Sequence, residues 1–121
     1  MQNNELLIKY FLDKAKNLSL GYDEQEKLSF ELNMGDYFTN DMANEWLTED
    51  INILNELVKN KVISKKVSEL YALIDNNFIE VSANGKLFKK EIWTLNALKN
   101  HAFWENQRFL AKQFINELLN K

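Results

Sequence analysis

The chain has 121 residues, 45% of them hydrophobic and 27% charged, with a formal net charge of −3. Area scaling sets about 6,800 Å² of folded surface against about 21,000 Å² unfolded, which is enough burial for one self-sufficient core. Three glycines, no proline and no cysteine exclude a disulfide scaffold, a thiolate metal site, a cysteine nucleophile and Pro/Gly-rich disorder, and they argue against a turn-rich sheet fold.

The first element runs from Glu5 to Leu18. Leu7, Tyr10, Phe11, Lys14 and Leu18 recur at helical spacing, Asn3 or Asn4 can cap the first amides, and Gly21 closes the helix. Asp23-Glu24-Gln25-Glu26 reads as a capping box opening a second helix to about Asn33, with Gly35 just past its end. Within it Leu28, Phe30, Leu32 and Met34 alternate with polar residues, which is a strand period. Helix is the preferred reading, because a lone strand has no partner here.

Thr39 can cap a short helix holding Met42 and Trp46. Thr48, followed by Glu49 and Asp50, starts a longer one with Ile51, Leu54, Leu57 and Val58 inward. Ser64 caps the next helix, whose stripe is Val67, Leu70, Tyr71, Ile74, Phe78 and Val81. Asn84-Gly85 ends it. The rival reading is a small β-hairpin with Asn84-Gly85 as its turn, between Ile79-Glu80-Val81 and Lys86-Leu87-Phe88. A helix from Lys89 to Lys99 carries Ile92, Trp93, Leu95 and Leu98. The longest amphipathic stretch, Phe103 to Leu118, follows. The expectation is a single all-α domain over residues 1–121, a compact bundle of five to six helices.

Most familiar chemistry lacks its parts. His101 is the sole histidine, so neither a catalytic triad nor a histidine-based zinc site can be assembled; it reads as a boundary residue near Phe103 and Trp104. The glycines at 21, 35 and 85 form no phosphate-cradling loop, and the five serines lie outside any nucleophile elbow. Glu45 and Glu49 sit four apart on one helix face, but nothing selects them as an acid/base pair. Asp75-Asn76-Asn77 opens like a calcium loop, and then Glu80 occupies the position that needs glycine. The expectation is no enzyme, no metal and no cofactor. Trp93 reads as core. Adjacent residues on a helix cannot share one core, so if Phe103 faces inward Trp104 is flanking or semi-exposed, and one of Trp46 and Leu47 is partly exposed.

No run approaches the roughly 18 apolar residues of a membrane span. The stretch Met1-Gln2-Asn3-Asn4-Glu5 lacks the basic start of a signal peptide, so a cytoplasmic protein is expected. Lysine outnumbers arginine 14 to 1, which disfavours sequence-specific nucleic-acid reading.

The net charge hides two unlike halves. Residues 1–60 hold 12 acids and 5 bases, a net of −7; residues 61–121 hold 6 acids and 10 bases, a net of +4. From Asp23 to Glu56 ten carboxylates face one lysine, Lys27. Solubility needs no such excess, and like charges at helical spacing cost a few tenths of a kcal/mol each. Asp23, Glu24, Glu26, Glu31, Asp36, Asp41, Glu45, Glu49 and Asp50 are therefore the candidate contact residues for a basic partner. Lys61, Lys65 and Lys66, and again Lys86, Lys89 and Lys90, form basic clusters. Pairing with the acidic half inside the fold is the preferred reading of these; phosphate contact is the other.

Three segments, LNELVKNKVIS (Leu54 to Ser64), FIEVSANGKLF (Phe78 to Phe88) and EIWTLNALKNHAFWENQRFLA (Glu91 to Ala111), carry a texture that resembles small bacterial immunity proteins. Those accompany contact-dependent growth-inhibition toxins and related polymorphic toxins. The resemblance implies a non-enzymatic inhibitor of a cognate toxin domain, many such toxins being nucleases with basic active sites. It carries over no fold and no site residue. The alternative is a phage or plasmid regulatory protein that mimics or binds nucleic acid; an enzyme with an unrecognised carboxylate site ranks last. Homo-oligomerisation through the Trp104 side is open.

Overall fold

The computed structural model describes residues 3–120; Met1 and Gln2, part of the stretch read above for a signal peptide, and Lys121 lie outside the described residues. The chain forms α1 (Asn4–Ser19), α2 (Tyr22–Glu31), α3 (Tyr37–Asn44), a 3-10 turn (Thr48–Asp50), α4 (Ile51–Lys59), α5 (Lys65–Val81), a second 3-10 turn (Lys90–Ile92), α6 (Leu95–Asn100) and α7 (Ala102–Leu119). The all-α expectation holds. Six helices have eight residues or more, and α6 adds a short seventh.

The long helices α1, α5 and α7 build the frame: α7 packs against both α1 and α5, and α4 covers α5. Their apolar stripes meet in one contiguous core that includes Phe11, Leu18, Leu54, Val67, Tyr71, Ile74, Phe114 and Leu118. Aromatic rings concentrate at two points. Tyr71 stands edge-on to Phe11 at 5.6 Å and lies 4.9 Å from Trp46, with Phe114 behind. At the other end Phe78, Trp93, Phe103 and Trp104 pack at centroid distances of 5.2 to 5.9 Å. These are the offset and edge geometries that the ring quadrupole favours.

Helix starts follow short polar side chains in some places. Asn3 Oδ1 accepts from the Glu5 amide at 3.0 Å, Thr94 Oγ1 from the Ala97 amide at 3.0 Å, and His101 Nδ1 from the Phe103 amide at 3.0 Å. The expected capping box is absent. Gly21 is extended, so α2 begins at Tyr22 and Asp23 already lies in the first turn; Glu26 instead accepts from the Tyr22 hydroxyl at 2.6 Å. Gly21 thus opens α2, while Leu20 closes α1. Thr39 also does not cap: it sits inside α3, buried, its hydroxyl donating to the Asp36 carbonyl. Ser64 stands at the start of α5 without a side-chain cap bond.

Two helix ends use a left-handed residue. After α2, Asn33 (φ 57°) lets its own amide reach the Phe30 carbonyl and the Met34 amide reach Ser29. After α4, Lys61 (φ 62°) does the same with Val58, and Val62 with Leu57. Both are Schellman closures.

The expected helix over 89–99 is broken. Thr94 is extended and caps α6, so Trp93 drops out of helical geometry. The hairpin is not formed: no strand occurs among the described residues, and Ile79, Glu80 and Val81 belong to α5. The Leu87 amide donates to the Glu80 carbonyl at 2.8 Å, folding residues 82–88 back on the end of the helix. Gly85 is there because a Cβ would run into the main-chain oxygens of Ile79 and Glu80. Trp104 corrects another expectation. It is fully buried and donates to the Ile92 carbonyl at 2.8 Å, while Phe103 is half-buried against Phe78. Successive residues diverge by about 100° on a helix, and both directions are covered here, by α5 and by the Lys90–Ile92 turn. Trp93 is half-buried, with its indole donating to the Val81 carbonyl at 3.0 Å. Of the pair Trp46 and Leu47, Trp46 is buried and Leu47 exposed, as the adjacency argument requires.

Candidate functional site

The acidic segment divides when folded. Asp23, Glu24, Glu31, Asp36, Asp41 and Glu49 are exposed, on α2, α3 and the connections beside them. Glu26 and Glu45 are half-buried. Burial, seconded by the Asp41 carboxylate, raises the Glu45 pKa above the usual carboxylate range. Asp36 also has an internal duty: its Oδ1 accepts from the Leu95 amide at 2.7 Å, tying α3 to the start of α6.

Asp50 leaves the set. It is 7% exposed and points inward, where its Oδ2 accepts from Lys14 Nζ at 2.9 Å and from the Tyr10 hydroxyl at 2.5 Å. Lys14 is itself 3% exposed. Its ammonium lies 4.2 Å from the Tyr10 ring centre and between 5.2 and 5.9 Å from those of Phe11, Tyr71 and Trp46. It also donates to the Tyr71 hydroxyl at 3.4 Å, which in turn donates to the Leu47 carbonyl at 2.8 Å. Burial pulls the Lys14 pKa below the ordinary lysine range, against the opposing pull of Asp50. This group ties α1, the Thr48–Asp50 turn and α5 together from inside, so Asp50 cannot meet a partner.

The basic clusters do not pair with the acidic half as expected. Lys61, Lys65, Lys66, Lys86, Lys89 and Lys90 are all exposed. Ion pairs among the described residues are Lys9–Asp13, Lys14–Asp50 and Lys27–Glu31. The asymmetry seen in the sequence therefore survives on the surface.

The structure adds residues that charge alone did not select. Phe30 is 65% exposed, Leu32 57% and Tyr37 76%, all within the stretch that carries Glu31 and Asp36. The signal was the alternation of Leu28, Phe30, Leu32 and Met34. At a helical period such a run cannot place every side chain inward, and the two that lose are Phe30 and Leu32. Among the described residues no group of three metal-ligating side chains is brought together, and no helix is long and apolar enough to cross a membrane. No family model, curated protein or solved structure matches the chain.

Proposed function

We propose that the chain is a binding protein whose α2–α3 face covers a basic surface on a protein partner, in the manner of an immunity protein blocking its toxin. One observation supports the reading most: Phe30, Leu32 and Tyr37 stand exposed among the exposed acids Asp23, Glu24, Glu31, Asp36 and Asp41. Interfaces place a few aromatic or apolar anchors inside a polar rim, and the rim charge sets association rate and partner choice. A basic nuclease cleft is the natural complement, with the acidic rim occupying the ground that phosphate would hold.

The test is protection. A polymorphic-toxin C-terminal domain encoded beside this chain is expressed with it in a sensitive host, and growth is followed. Charge reversal at Asp23, Glu24, Glu31 and Asp41 together should abolish protection and weaken binding at least about a hundredfold, as lost rim steering and like-charge clashes would. Circular dichroism should stay unchanged. Full protection by that variant would remove the face from the interface. The regulatory alternative is checked by titrating duplex DNA at low salt: retention there, with no toxin binding, would replace the inhibitor reading.

A further inference from the structure

A cavity of about 380 Å³ lies between α3, the second half of α5 and the 82–93 segment, away from the α2 acids. Its size falls in the range of small-molecule sites, about 300–1,000 Å³. Four of its thirteen lining residues are aromatic, Trp46, Phe78, Phe88 and Trp93, and the polar side chains of Asn40 and Asn44 stand beside them. Leu47, Ile79 and Phe88, each more than 40% exposed, contribute to the same lining, so apolar surface lies open at its mouth.

One carboxylate belongs to this lining. Asp75 lines the cavity and is 7% exposed, and no ion pair reaches it among the described residues. Buried charges in proteins are normally paired, because an isolated carboxylate loses its hydration without return. Burial raises the Asp75 pKa above the usual range, against the opposing pulls of Thr48 and of the Lys14 ammonium, which acts through space without forming an ion pair. Trp46 Nε1 is a buried donor without an acceptor, the one such side-chain atom among the described residues.

We propose that this cavity is a binding site for a small organic ammonium compound with an aromatic body. The ammonium group would pair with Asp75 and lie against ring faces that attract cations, and the body would cover the rings at the mouth. The size and the single buried carboxylate favour a free small molecule of this kind over a neutral or anionic one. The proposal is independent of the acidic face and of any toxin.

The test titrates the full chain with phenethylamine and with its neutral isostere phenethyl alcohol, read by tryptophan fluorescence and amide NMR shifts. Phenethylamine should saturate at millimolar concentration or below, moving amides of α3, α5 and residues 82–93. It should bind at least about tenfold tighter than the alcohol, the preference that an unscreened ion pair provides. Asp75→Asn should erase that preference. Phe88→Ala, at an exposed position whose loss leaves the core intact, should weaken both compounds and covers the case in which Asp75→Asn fails to fold. Equal affinity for amine and alcohol, retained amine preference in Asp75→Asn, or no saturable shift with either compound would overturn the proposal.

Discussion

Asp50→Asn is the sharpest probe of the interior. The substitution keeps shape and one acceptor oxygen but removes the charge that faces Lys14 Nζ at 2.9 Å. Breaking a buried pair from one side costs about 3–5 kcal/mol. Two effects limit the cost. The four rings around the ammonium return up to about 2 kcal/mol. Lys14 can also shed its proton, which at pH 7 costs about 5 kcal/mol from an ordinary lysine pKa and sets the ceiling. The expected loss is therefore about 2–4 kcal/mol at pH 7, a large share of the ~5–15 kcal/mol typical of domains. Urea unfolding followed by circular dichroism measures it. A depressed folded pKa means that the unfolded chain binds more protons, so the variant gains stability as pH rises. By pH 9 the ceiling falls to about 2 kcal/mol, and the deficit should shrink with it. Adding Lys14→Met to Asp50→Asn removes the stranded cation and should recover part of the loss. A loss below about 1 kcal/mol at pH 7 with no recovery in the double variant would refute the claim that this pair is held in a desolvated site.

Lys61→Gly should stabilise the chain by about 0.5 kcal/mol in the same urea assay. A left-handed backbone costs a non-glycine residue about 1–2 kcal/mol, and glycine gives back part of that gain in unfolded-state entropy. Burial, followed by hydrogen bonds to Asp50 and Glu26, pushes the hydroxyl pKa values of Tyr10 and Tyr22 up to about 12. Their folded forms thus keep protons that the unfolded chain has already lost near pH 10, so this stabilisation is complete below about pH 10 and lost as pH rises toward 12. The urea midpoint should fall across that window, in step with the phenolate absorbance of the folded protein.

Periodicity made the helical frame legible. The stripes on α1, α4, α5 and α7 name most of the core, and Leu7, Tyr10, Phe11, Lys14 and Leu18 already lie on one helix side. That stripe contained a lysine, Lys14, and the structure buries it with its apolar neighbours. Its partner did not follow from the pattern, because Asp50 is thirty-six residues away and looked like one more acid in a run. Local caps were misjudged where backbone geometry overrode side-chain chemistry: extended Gly21 starts α2 before Asp23 can cap it. The hairpin reading failed for a tertiary reason, since residues 82–88 bond to the end of α5 rather than to each other alone. The surface acids were visible as a set, yet composition cannot tell an acid that ties α3 to the start of α6, such as Asp36, from one that only faces water.

The attachment of α2 has a consequence for what its outer face can do. Its fully buried residues are Gln25 and Ser29, with no large apolar side chain among them. Gln25 Nε2 donates to the Asn17 and Leu18 carbonyls, and its Oε1 accepts from Arg108 at 3.0 and 2.9 Å. Arg108 is the only arginine in the chain, and it also reaches the Leu98 carbonyl, so one guanidinium fork joins α2, α6 and α7. A helix fastened by directional polar clips has little buried apolar area to resist its release, so α2 should open locally more readily than α1, α5 and α7. A partner gripping Phe30 and Leu32 would thereby close a local equilibrium as well as make contacts, and part of its affinity would be spent holding α2 shut.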